Sequence, residues 1–307
     1  MKFNQNYLIS LGLSAFLLAL MFLGPMVYIN KAFFFDLIIF VILAIGLNII
    51  YGLTGYLPFG YIVFFGFGAY GVYIGMRIGL RPAEAFLFDY LITFILAVVL
   101  LPLFRLRSHY FAIATLAAFE GMFYLIGSPT MSKYTSGALG ASLVTIYNPS
   151  LTYILTAVFL VFALFLLAWI KSSPYGLSLR AIKDSVISAE LDGINVPTAR
   201  GIAWIISAMI AGIAGSLYGW YSSFFYPETV FNLTLGIYII AFVLFGGAGT
   251  LIGPVIGTLI LYSIYQYFSI SYSFYLELFF GILLILIVLF MPEGIIGILS
   301  RRLKKSL

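Results

Sequence analysis

Apolar residues in this chain gather into ten runs: 7–29, 34–53, 57–76, 85–104, 109–127, 151–170, 201–223, 233–247, 254–270 and 276–291. The hydrocarbon layer of a bilayer takes about 20 residues of helix to cross, and backbone inside it must satisfy its own hydrogen bonds. The expected fold class is therefore an all-α integral membrane protein with about ten transmembrane helices. Composition agrees, with 64% hydrophobic and 8% charged residues, where a soluble domain carries about a quarter charged. Some runs are short, and 57–76 and 233–257 are rich in glycine. Broken or re-entrant backbone is expected there, covered by protein or water. The run 7–29 is long enough to span and no small-residue cleavage site follows it before Lys31, so it reads as a retained first helix. One membrane domain over residues 1–307 accounts for the whole pattern.

The longest polar interruption is 171–200, KSSPYGLSLRAIKDSVISAELDGINVPTAR, which holds seven of the 25 charged residues. Each would cost about 2.5–3.5 kcal/mol at the centre of a bilayer helix, so the segment lies in water. It is not built as a slack linker. Ser173-Pro174 is a helix start, with serine as N-cap and proline in the first turn. Leu179, Ile182, Val186 and Ala189 recur at helical spacing as a narrow apolar stripe. Asp192-Gly193-Ile194 reads as a helix end, with glycine in the left-handed position. The pattern fits a short amphipathic helix, lying on lipid headgroups or offered to a soluble partner.

Counting Lys and Arg orients the chain. With both termini in the cytoplasm, the inside set is Lys2, Arg105, Arg107, Lys171, Arg180, Lys183, Arg200, Arg301, Arg302, Lys304 and Lys305. The outside set is Lys31, Arg77, Arg81 and Lys133. The excess places the 171–200 loop in the cytoplasm and the polar stretch 127–150 outside. Small residues mark close helix contacts. Ala203, Ser207, Ala211, Gly215 and Gly219 recur every fourth residue as one packing face, and Gly60, Gly66, Gly68, Gly71 and Gly75 form a less regular one. A short internal echo links Gly52-Leu53-Thr54-Gly55 to Gly246-Gly247-Ala248-Gly249.

Enzyme chemistry finds little support. There are no cysteines and one histidine, His109, placed beside Arg105 and Arg107 at the end of a run. No zinc-protease helix, nucleophile elbow, metal-ligand cluster or intramembrane aspartate pair is present. Gly246-Gly247-Ala248-Gly249-Thr250 lacks the lysine and spacing of a phosphate loop, so no nucleotide or other cofactor is expected on this polypeptide. The net charge of +5 is confined to loops and tails and signals no nucleic acid. Among ionisable groups inside the runs Glu120 stands out, either lining a polar pathway or hydrogen-bonded to a neighbouring helix.

Taken in order, these residues resemble the M-type membrane permease subunits of branched-chain amino acid ABC importers. The resemblance spans roughly 34–300. It is carried by Tyr175-Gly176, Leu179-Arg180-Ala181-Ile182-Lys183-Asp184, Ser188-Ala189-Glu190-Leu191-Asp192-Gly193-Ile194-Asn195 and Ala211-Gly212-Ile213-Ala214-Gly215-Ser216-Leu217-Tyr218. Pro227-Glu228, Gly246-Gly247-Ala248-Gly249, Gly253-Pro254-Val255-Ile256-Gly257, and Tyr110-Phe111 with Thr115-Leu116-Ala117 and Glu120 extend it. It implies an ABC importer permease fold in the cell membrane and a translocation pathway built with a second permease subunit. Two ATP-binding cassette subunits and an extracytoplasmic substrate-binding protein would complete the assembly. It also implies a coupling helix within 171–200, with Arg180, Lys183, Asp184, Glu190, Asp192 and Gly193 at the ATPase contact. The pattern departs at Leu177, where arginine is common, and at Ser185, where an acidic residue is frequent. Related permeases serve urea and short amides. An ion-coupled carrier or channel is the competing class, and an intramembrane enzyme a more distant one.

Overall fold

The computed structural model describes residues 2–28, 30–106, 108–291 and 293–298. Arg107, Arg301, Arg302, Lys304 and Lys305 of the inside set lie outside them. Each of the ten apolar runs contains a helix. In chain order the helices are α1 (Lys2–Val27), α2 (Lys31–Leu47), α3 (Val63–Arg77), α4 (Pro82–Val99), α5 (Ser108–Gly127), α6 (Ser132–Thr135) and α7 (Pro149–Ser172). Then come α8 (Pro174–Asp184), α9 (Val186–Leu191), α10 (Val196–Ser222), α11 (Pro227–Val230), α12 (Leu233–Gly246), α13 (Gly253–Ser271) and α14 (Leu276–Phe290). A two-residue antiparallel pair, β1 (Ala141–Ser142) with β2 (Phe224–Phe225), is the sheet among the described residues. Eight segments are long and apolar enough to cross a membrane. The α3 and α13 helices fall short of that test; α3 lies in the glycine-rich run 57–76, and α13 begins at the end of the glycine-rich stretch 233–257, whose α12 passes it.

The described residues divide into two compact units. The first comprises 1–55, 160–184 and 237–307. At its centre is α2, apolar on every side (KAFFFDLIIFVILAIGL) and buried from Leu37 to Leu47 apart from half-buried Phe40. A helix that is hydrophobic all round is stable only when covered all round, and α1 and α13 pack on it here. Asn30 starts α2 by accepting the Phe33 amide at 3.2 Å. The helix then widens into a π turn over Asn48–Gly52. The outer helices α1 and α14 present mostly leucine, isoleucine and phenylalanine outward, as lipid-facing surfaces do.

The second unit comprises 56–159 and 185–236. Its core is the close packing of α3, α4 and α10. Glycine sets the spacing. A Cβ on Gly68 would overlap the Gly212 carbonyl, and one on Gly215 would overlap the Phe65 carbonyl. The backbones of α3 and α10 therefore touch, which only small residues permit. On the other side of α3, a Cβ on Gly75 would lie 2.8 Å from the Ala85 Cα of α4. Trp204 of α10 is fully buried and donates its indole N–H to the Ala97 carbonyl at 3.0 Å.

Candidate functional site

The polar segment 171–200 differs from the single amphipathic helix its stripe suggests. It folds as two helices, α8 and α9, with the break at Ser185. The serine has extended backbone (φ −159°, ψ 115°) and its Oγ accepts the Ser188 amide at 3.2 Å. A serine that caps a new helix competes with continuing the old one, so the apolar spacing runs on across a real boundary. Leu179, Ile182 and Ala189 of the stripe are buried, and Val186 is half-buried.

In the first unit, α8 begins where the sequence placed it, with the Ser173 Oγ accepting the Gly176 amide at 3.3 Å. Behind it lies a polar cluster. Asn48, fully buried in the π turn, accepts the Gly249 amide at 2.7 Å and donates to the Thr250 carbonyl at 2.9 Å. Lys171 Nζ donates to the Gly249 carbonyl at 2.6 Å, and Lys183 Nζ donates to the Gly52 carbonyl at 2.8 Å. Arg180 Nη2 donates to the Lys171 carbonyl. Gly249 is in the left-handed region (φ +87°), and a Cβ there would lie 2.6 Å from the Gly52 carbonyl oxygen. The two segments of the internal echo thus meet where α2 and α12 stop. Loss of hydration holds the Lys183 ammonium below the usual 10.5, with Asp184 opposing that shift.

In the second unit, α9 closes as Asp192-Gly193-Ile194 anticipates. Gly193 adopts φ +81°, and the Ile194 amide reaches back to the Ala189 carbonyl at 3.0 Å. Asn195 then caps α10 by accepting the Thr198 amide at 3.1 Å. Ala189 faces inward, while Ile187 is 72% and Leu191 84% exposed, beside exposed Glu190 and Asp192. Two large aliphatic side chains flanked by carboxylates thus stand exposed together on one short, capped helix. The first turn of α10 supplies Arg200, buried, with its guanidinium 3.9 Å from the centre of the Tyr56 ring.

The structure distributes the other candidate residues as follows. Asp184 is exposed at the end of α8. Ser207 and Ala211 are fully buried on α10, Gly215 meets α3, and Gly219 approaches Ala69 Cα, 3.2 Å from where its Cβ would stand. Glu120 is half-buried on α5 and follows an exposed stripe of Tyr110, Ile113, Ala117, Gly121 and Tyr124. Beside Glu120, two aspartates also lie inside the apolar runs. Asp36 is half-buried in α2, and Asp89 is fully buried in α4, where the Ser216 and Thr93 hydroxyls donate to it. Both were visible as single acids inside runs 34–53 and 85–104. The roles of Asn48 and Lys171 were not visible, since their partners lie far away in sequence.

Residues 31–289 match the protein family described as branched-chain amino acid transport system, permease component. Among curated proteins, the high-affinity branched-chain amino acid transport system permease protein LivM of Salmonella typhimurium is 26% identical, over 87% of this chain and 69% of its own length. LivM of Escherichia coli K12 gives the same identity and coverage. The permease protein LivH of Escherichia coli K12 is 31% identical over 49% of this chain and 50% of its own. No solved structure matches the chain. The family match opens at the first residue of α2 and closes inside α14, taking in the polar cluster, α8, α9 and the α3–α10 packing. The chain is therefore a multi-pass membrane protein and belongs to the branched-chain amino acid transport permease family.

Proposed function

We propose that the chain is the M-type permease subunit of an ATP-driven importer of branched-chain amino acids. In this reading it forms the translocation pathway with a second permease and receives its drive from two ATPase subunits. A binding protein outside the cell delivers the substrate. Both termini and the α8–α9 loop face the cytoplasm, in keeping with the excess of Lys and Arg on that side.

The observation that carries the reading is the outward face of α9. Ile187 and Leu191 are exposed in a segment too polar to lie in lipid, held by the Ser185 cap and the Gly193 turn and flanked by Glu190 and Asp192. An exposed aliphatic pair with an acidic rim fits a partner whose cleft is apolar with a basic edge. The exposed stripe on α5 suits a second membrane helix, because Ala117 and Gly121 allow close approach. Glu120 beside it would then border the pathway between the two permeases.

Purifying the chain with its cognate ATPase and permease subunits tests this. Replacing both Ile187→Asp and Leu191→Asp should strip the ATPase from the complex and lower uptake on the order of tenfold or more, a loss of at least 1.4 kcal/mol of contact energy. The chain should remain in the membrane. Full uptake by the double variant, or solute movement by the isolated chain without ATP hydrolysis, overturns the proposal.

A further inference from the structure

The cluster behind α8 has a feature that an ATPase-docking surface does not require. The π turn that extends α2 ends at Gly52, and α12 ends at Gly246, three residues before Gly249; the carbonyls of Gly52 and Gly249 both accept from the polar segment. Helix C-termini leave carbonyls without intrahelical partners and carry partial negative charge, which cations satisfy best. Here both cations come from the two ends of one short stretch. Lys171 is in the last turn of α7 and reaches Gly249, and Lys183 is in the last turn of α8 and reaches Gly52. Arg180 folds back onto the Lys171 carbonyl, so the C-terminal turns of α8 are tied both to the end of α7 and to Gly52. Asn48 spans the two breaks, bonding Gly249 and Thr250 from inside α2. Each tie falls on irregular backbone, where a helix yields more readily than in its hydrogen-bonded interior.

From this arrangement we propose that Lys183 and Lys171 are positioning residues. They connect α8, which runs directly into the ATPase-facing α9, and the end of α7 before it, to the backbone just past α2 and α12, so that displacement of α8 is delivered to both helices together through Asn48. The inference rests on the importer reading and deepens it. It assigns Lys183 an inward role, toward the Gly52 carbonyl, instead of a contact with the ATPase. Lys183 holds the link to α2, Lys171 the link to α12, and Asn48 makes the two ends respond as one.

The test uses the full complex in proteoliposomes, with ATP hydrolysis and solute uptake measured on the same preparation. Lys183→Met should leave the ATPase bound and hydrolysing while uptake falls roughly tenfold, so that more ATP is spent per solute moved. Lys183→Arg, which keeps a cationic donor, should recover most of that ratio, and Lys171→Met should raise it as Lys183→Met does. If the wild-type chain fails to retain an ATPase, the importer reading itself fails. If the ATPase is retained and Lys183→Met transports with the wild-type ratio, only the present inference is overturned. Equal loss of hydrolysis and uptake, or failure of the variant to accumulate in the membrane, makes Lys183 a structural lysine and overturns it too.

Discussion

Gly68 and Gly121 show how differently the same residue type is used. Gly68 faces the Gly212 carbonyl with no room for a methyl group, whereas nothing lies within 4 Å of a Cβ on Gly121. Gly68→Ala should therefore destabilise the protein in detergent by about 1–3 kcal/mol through overpacking against backbone. Gly121→Ala in the isolated chain should be neutral or stabilising by up to about 1 kcal/mol, since alanine is the better helix former. Thermal unfolding of the purified chain reads both. Residue-level roles were unevenly legible. The four-residue spacing of Ser207, Ala211, Gly215 and Gly219 marks a packing face because backbone approach demands small side chains in register. Asn48 carries no such mark: an amide 201 residues from the backbone it binds has no local pattern to betray its partner.

At the scale of elements, the break at Ser185 decides what the polar segment presents. Periodicity alone carries one stripe through Leu179, Ile182, Val186 and Ala189, because the three- and four-residue spacing of apolar side chains continues in the sequence across Ser185. The capping hydroxyl was readable only as a serine preceding an apolar turn. Ser185→Ala should remove the cap and cost about 1 kcal/mol locally, seen as faster amide exchange in α9 than in α10. The exposed face of α5 yields a second expectation. If another helix covers Ala117 and Gly121, Gly121→Leu should leave the isolated chain folded yet reduce recovery of the second permease in pull-downs. Unchanged recovery would place that face in lipid.

For the whole molecule, the ten apolar runs and their ten helices correspond closely, since a bilayer solvent leaves the backbone few alternatives. What the runs could not convey was the division into two compact units, each assembled from segments distant in sequence. Orientation is open to a clean measurement because the natural chain has no cysteine. A thiol introduced by Ile187→Cys should react with an impermeant maleimide only from the cytoplasmic side, and one introduced by Lys133→Cys only from the outer side. The reverse labelling would invert the topology and remove α9 from the reach of any ATPase.

The α10 helix has a consequence of another kind. It holds two of the three tryptophans, one toward each end: Trp204 sealed among Phe64, Phe104 and Phe111, and Trp220 bonded to the Ile146 carbonyl at 2.6 Å. With Trp169 replaced by phenylalanine, the protein becomes its own optical gauge. A blue-shifted emission from Trp204 that reddens during turnover would register water entering beside Arg200, with no dye attached.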